Sequence, residues 1–225
     1  MKPSRTPIYT RAYDTREDST MEAMASSPAA KPKPTTTLRV AAFSGSLRKG
    51  SWHGGLIRAA EELCEESIPG LRIDHVDISG LPMANPDLET DDGDGFPPDV
   101  EAFRDRVRAA DCFLFASPEY NYSVTATLKN ALDWASRGKH KGWADKAAAI
   151  VSAGGSCGGG RAAFHLRQIG VFLDIHFINK PELQVRAYED PPKFDADGNL
   201  VDAETRERLK QVLLSLQAFA LRLQH

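Results

Sequence analysis

From Leu38 onward the chain alternates short apolar runs with segments whose apolar residues return every three or four positions. Leu38 to Phe43 is the first run. It ends in the loop Ser44-Gly45-Ser46-Leu47-Arg48-Lys49-Gly50-Ser51, after which Leu56, Ile57, Ala60, Leu63 and Cys64 recur at helical spacing. This pattern predicts strand, loop and helix. A second strand is predicted from Leu71 to Ile78, behind Pro69-Gly70 and ahead of an acidic, Gly- and Pro-rich loop from Leu81 to Pro98. Val100, Phe103 and Val107 mark the next helix face. Cys112 to Ala116 is a continuous apolar run of the kind buried in parallel sheets, stopped by Pro118. Leu128, Ala131, Leu132 and Ala135 place a helix over Thr125 to Ser136. Ala147 to Val151 is another strand and leads into Gly154-Gly155-Ser156-Cys157-Gly158-Gly159-Gly160, with a helix expected from Ala163 to Phe172. Ile175 to Ile178 and Leu183 to Val185 supply the last strand region, and Lys193 to Asn199 reads as a surface turn around Asp197-Gly198. Leu209, Val212, Leu213, Leu216, Phe219, Ala220 and Leu223 complete an amphipathic helix.

Five strands interleaved with five helices imply an α/β doubly wound parallel sheet, because parallel strands need crossovers and each helix must bury its apolar stripe on a sheet face. The flavodoxin-like order 2-1-3-4-5 is the expected arrangement of this five-stranded sheet. Residues 1–36 differ: they are polar, mix both charge signs and show no periodicity, so a disordered tail is expected ahead of one domain spanning 37–225. Asp14, Glu17, Asp18 and Glu22 interrupt what would otherwise resemble a transit peptide, a class poor in acids.

Composition adds mainly exclusions. With 41% of 225 residues hydrophobic, there is apolar material for one core. A net charge of −3 with scattered Lys and Arg gives no reason to expect nucleic acid. No apolar stretch approaches the roughly 20 residues of a membrane span. Cys64, Cys112 and Cys157 are an odd number without CxxC spacing, which fits a reducing, cytoplasmic compartment. The histidines show no metal-ligand spacing, and no metal is expected.

In a sheet of this order, ligands bind beyond the carboxyl ends of the strands, at the switch point between the first and third. The loops there, Ser44 to Ser51 and Ser117 to Ser123, are the two most unusual stretches of the chain. Ser44, Ser46 and Ser51 offer hydroxyls, Gly45 and Gly50 let N–H groups turn inward, and Arg48 adds a fixed positive charge at a helix N-terminus. That set suits a phosphate monoester, although a serine-rich N-cap on an ordinary helix is also open. GxxxxGK[ST] is absent, which leaves a P-loop nucleotide-binding regulator without support. Pro118-Glu119-Tyr120-Asn121-Tyr122-Ser123 packs two aromatics and polar groups over the sheet, as a planar ligand such as a flavin requires; a tyrosine loop packed on neighbouring helices is the plainer alternative. Gly158, Gly160 and Ala163 match G-x-G-x-x-A, but the match stands away from its strand and lacks the following acid. Ser152 to Gly155 is therefore read as a third flavin-contacting loop, with a glycine loop free of contacts as the alternative.

These residues resemble the NADPH-dependent FMN reductase family, in its branch of bacterial chromate and quinone reductases and plant NAD(P)H:quinone oxidoreductases. The carriers are Gly45-Ser46-Leu47-Arg48-Lys49-Gly50-Ser51, Ser117 to Ser123, Leu128-Lys129-Asn130-Ala131-Leu132-Asp133-Trp134 and His165-Leu166-Arg167-Gln168. The resemblance implies that Ser44, Ser46, Leu47, Arg48 and Ser51 hold the FMN phosphate, that Pro118, Glu119, Tyr120 and Asn121 hold the isoalloxazine, and that Ser152 and Gly155 complete the site. His53 stands where the family usually has asparagine, and is carried over as a further FMN-binding position. A homodimer or homotetramer is implied, with the stretch from Trp134 to Arg137 facing a partner subunit. The implied reaction is a ping-pong, two-electron transfer from NAD(P)H through FMN to quinones, with chromate or azo dyes as further acceptors; flavin N5 carries the hydride and no side chain is catalytic. The alternative from another class is a flavodoxin-like single-electron carrier, for which a charge of −3 is modest.

Overall fold

The computed structural model describes residues 37–90 and 95–224, so the tail expected over 1–36 lies outside the described residues. Strand β1 (Leu38–Ser44), helix α1 (Trp52–Ser67) and strand β2 (Leu71–His75) come first. After a 3-10 turn at Pro86–Leu88 follow α2 (Pro98–Ala109), β3 (Cys112–Ala116), α3 (Ala126–Ser136), β4 (Lys146–Gly154) and α4 (Gly160–Leu173), then β5 (Ile175–Phe177), β6 (Leu183–Arg186) and α5 (Ala203–Leu223). The strands pair in parallel in the order β2-β1-β3-β4-β5, with β6 also on β4. This is the flavodoxin-like doubly wound order expected from the sequence.

Several boundaries differ from expectation. The fifth lane of the sheet is filled by two short strands: β5 pairs with Lys146 to Ala148, and β6 with Val151 to Gly154. Pro181 lies between them and has no N–H to give a ladder. β4, expected to end at Val151, continues to Gly154 because β6 supplies partners as far as Arg186. At the other edge, β2 ends at His75 rather than Ile78; after Val76 donates its N–H to the Ala42 carbonyl at 2.9 Å, the chain leaves the sheet.

Both faces of the sheet are covered, which is why β1 and β3 read as unbroken apolar runs. Val40, Ala42, Cys112, Leu114 and Ala116 face α1 and α5, whereas Ala41, Phe43, Phe113 and Phe115 face α2, α3 and α4. On the second face, Phe113 is flanked in register by Ala41 and Ala148, so one large ring sits between two small residues. Its ring meets Trp143 edge-on, 4.9 Å between centroids. This rigid interior fixes the ends of β1, β3 and β4 relative to one another, and all three end on the same rim.

Candidate functional site

The loop after β1 is built from serines that bond to their own backbone. Ser44 Oγ accepts from the Ser46 N–H at 3.3 Å, Ser46 Oγ accepts from Arg48 N–H at 3.4 Å, and Ser51 caps α1 by accepting from His53 N–H at 3.2 Å. The capping role weighed from the sequence is thus real for Ser51, and it orients the first turn of α1. Among the described residues no acceptor meets the N–H groups of Leu47, Lys49 or Gly50. Those donors, the Arg48 guanidinium and the helix end make a cradle for an anion. Ser44, Ser46, Leu47, Arg48 and Ser51 line one cleft of about 240 Å3, closed on its far side by Asp77 to Ser79 where the chain leaves β2.

The loop after β3 is stitched to this cradle. Thr125 caps α3 through the Leu128 N–H and donates its hydroxyl to the Gly45 carbonyl at 2.7 Å. Gly45 has no room for a side chain: a Cβ there would stand 2.8 Å from Pro118 Cδ. Beyond Pro118, Tyr120 and Ser123 exchange backbone hydrogen bonds around Asn121 and Tyr122, whose φ values are 50° and 69°. Two consecutive left-handed residues with side chains are disfavoured, and here the turn lifts Tyr120 and Tyr122 into solvent, 51% and 64% exposed.

Glu119 points the other way, onto the start of α4, where it accepts from the N–H and guanidinium of Arg161. The Arg161 guanidinium lies 3.9 Å from the centre of the Tyr122 ring. Ser152 is fully buried inside β4 and donates its hydroxyl to the Gly158 carbonyl at 2.6 Å, so its side chain closes the glycine loop from beneath. Gly155 is exposed, and a Cβ there would meet nothing within 4 Å. Gly158 and Gly159, at φ 55° and 90°, turn the chain into α4.

His53 departs furthest from its expected place. It is 4% exposed, and its Nε2 accepts the Ala153 N–H at 3.2 Å rather than facing the cradle. Trp134 is buried within the chain, donating Nε1–H to the Pro82 carbonyl at 2.7 Å, and Arg137, at the end of the same stretch, is exposed and pairs with Glu89. Arg161 and Thr125 were not singled out by sequence. Thr125 carries a readable signal, a threonine just ahead of a helical stripe; Arg161 carries none, since its partner lies 42 residues away.

A cradle of free N–H donors beside Arg48, joined to an aromatic loop and an open glycine, fits a flat ring that ends in a phosphate. Among the described residues no group of three or more His, Cys, Asp or Glu side chains is placed to hold a metal, and no helix is long and apolar enough to cross a membrane.

A doubly wound parallel sheet with these three loops on one rim has the architecture of the flavodoxin-like flavoproteins. Residues 38–190 match the model of the NADPH-dependent FMN reductase family, and the chain belongs to that family. It is 72% identical over 204 residues to probable NADPH:quinone oxidoreductase 1 of Oryza sativa subsp. japonica, covering 91% of this chain and 98% of that protein. It is 66% identical over 187 residues to the NADPH:quinone oxidoreductase of Arabidopsis thaliana, covering 83% and 94%. Among solved structures, FerB, a flavoenzyme NAD(P)H:(acceptor) oxidoreductase from Paracoccus denitrificans, matches with a TM-score of 0.71 at 28% identity, covering 82% of this chain and 98% of that one.

Proposed function

We propose that the protein is an FMN-dependent NAD(P)H:quinone oxidoreductase whose domain spans residues 37–225. The observation that carries the reading is the donor-rich loop from Ser44 to Ser51, stitched by Thr125 and Gly45 to the tyrosine turn. Ser44, Ser46, Leu47, Arg48 and Ser51 would hold the FMN phosphate; Pro118, Tyr120, Asn121 and Gly155 would border the ring. Glu119 and Ser152 serve the same site by fixing their loops. Bound FMN supplies the two-electron redox chemistry between NAD(P)H and a quinone. The protein's task is then to hold a planar group against the rim, aim N–H dipoles at its polar edge and leave its outer face open. An open face suits small acceptors in general, chromate and azo dyes included.

A homodimer or homotetramer is part of this proposal, supported by an apolar face on α4 where Phe164, Val171 and Phe172 are 65%, 82% and 87% exposed. A cytoplasmic location is supported by three unpaired cysteines, of which Cys157 is exposed.

The test is optical. Protein saturated with FMN shows the oxidised flavin band at about 450 nm; anaerobic NADPH bleaches it fully, and a quinone restores it. A yellow protein that NADPH leaves unchanged, or a chain that never retains FMN, overturns the reading. Arg48→Ala weakens FMN retention by about tenfold or more, the worth of one charge-assisted contact, and leaves the ranking of acceptors as it was.

A further inference from the structure

We propose that His53 is a positioning residue: its imidazole is a spacer inserted between β3 and β4, and it sets the separation of the loops that border the flavin. The proposal rests on the FMN reading above. β3 and β4 remain in register up to Ala116 opposite Val151, and the Ser117 N–H still reaches the Val151 carbonyl at 3.0 Å. In a parallel ladder the next rung would run from the Ala153 N–H to the Ser117 carbonyl. That rung is not formed directly. The Ala153 N–H goes instead to His53 Nε2 at 3.2 Å, and the ring lies near enough to the Ser117 carbonyl for that oxygen to favour its protonated form. Because Nε2 accepts, the neutral ring carries its proton on Nδ1.

The ring therefore takes the Ala153 N–H that the missing rung would have given to Ser117. Above this point β3 runs into Pro118 and the tyrosine turn, and β4 into Gly155. The backbone of His53 belongs to the third wall, since its N–H is bound by Ser51 Oγ at 3.2 Å. One buried residue thus joins the loop after β1 to the ends of β3 and β4. With Nε2 engaged by Ala153 and 4% of the residue exposed, the imidazole is buried and does not line the cradle.

Four variants and two readouts separate this role from direct contact. The first readout is amide hydrogen exchange at Ala153 in the full chain without flavin; the second is the pair of dissociation constants for FMN and riboflavin, measured by flavin fluorescence. His53→Leu is expected to speed exchange at Ala153 by about tenfold, the scale of one lost hydrogen bond, and to weaken FMN and riboflavin by a similar factor. His53→Gln, whose Oε1 offers an acceptor to the Ala153 N–H, recovers part of both effects. Arg48→Ala weakens FMN and leaves riboflavin as it was. A loss in His53→Leu confined to FMN would show direct phosphate contact and overturn the proposal, as would unchanged exchange at Ala153. Should His53→Leu not fold, His53→Gln must protect Ala153 better than His53→Asn, whose amide is one methylene shorter; the reverse order also overturns it. If the wild-type chain binds neither flavin, the cofactor reading has failed, while exchange at Ala153 still decides whether the imidazole completes the rung.

Discussion

Glu119, on the loop after β3, is the N-terminal cap that α4 lacks in its own sequence: Oε2 accepts the Arg161 backbone N–H at 2.9 Å, and Oε1 accepts the Arg161 guanidinium at 2.8 Å. The residue in the capping position, Gly159, has no side chain to offer. A carboxylate at this end also meets the positive pole of the helix. Burial by itself would raise the Glu119 carboxyl, but the Arg161 guanidinium and the N–H groups of Ala162 and Arg161 outweigh it and hold it below the ordinary value of 4.5. Glu119→Ala is expected to lower stability by about 1–2 kcal/mol, the worth of a helix cap, measured by urea unfolding at pH 7. The gap between wild type and variant should narrow as pH falls below the ordinary value, because a carboxyl depressed in the folded state contributes above it and loses that contribution on protonation.

Gly155 separates the stability of the chain from the fit of its ligand. Its Cβ position is open, and the residue is not among those at positive φ. Gly155→Ala should therefore change the melting of the flavin-free chain by no more than about 0.5 kcal/mol. Added FMN stabilises the wild-type chain by linkage, and the variant should gain less, because the new methyl occupies space left for the ring. Equal gains would move the ring away from Gly155.

Gly55 tests a contact between distant parts of the chain. A Cβ there would lie 1.8 Å from the Gly198 carbonyl oxygen, so the first turn of α1 and the turn around Gly198 meet backbone to backbone. Gly198 in turn leaves no room beside Gly50 in the phosphate loop, since a Cβ on it would stand 2.6 Å from the Gly50 carbonyl. Gly55→Ala is expected to cost about 1–3 kcal/mol, the range for overpacking, and to weaken FMN binding as the displaced turn pushes on Gly50. Calorimetry with and without FMN reads both.

The frame was legible because its cause is local. Cys112 to Ala116 is buried on both faces and reads as an unbroken apolar run, and the stripe from Leu209 to Ala220 buries one side of α5. What sequence missed depends on partners far along the chain. Ser152 looks like a loop residue beside its glycines, and only the pairing with Gln184 of β6 makes it part of a strand. His53 looks like a substitute in a phosphate loop, and only the missing rung between Ser117 and Ala153 gives its ring a backbone partner. Trp134 shares a helix with exposed charges, and nothing nearby in sequence announces that the Pro82 carbonyl will cover it.

His53 also predicts a pH dependence. Burial lowers its imidazole from 6.5 to about 4, against the opposing pull of the Ser117 carbonyl. The unfolded chain therefore takes up a proton before the folded one does. Stability held by the neutral ring is complete above pH 6.5 and falls as pH drops from 6.5 towards 4. At 1.36 kcal/mol for each pH unit between the two values, the loss is about 3 kcal/mol. His75, also lowered chiefly by burial, and the depressed carboxyls of Asp77 and Glu119 pull in the same direction but are common to wild type and His53→Gln, so they cancel in the comparison. His53→Gln carries no titrating group at this position. Urea unfolding of both chains at pH 7, 6, 5 and 4 should show the advantage of wild type shrinking by about 3 kcal/mol across the series. Parallel curves would mean that the ring is not held neutral between the strands, and that the rung between Ser117 and Ala153 survives protonation.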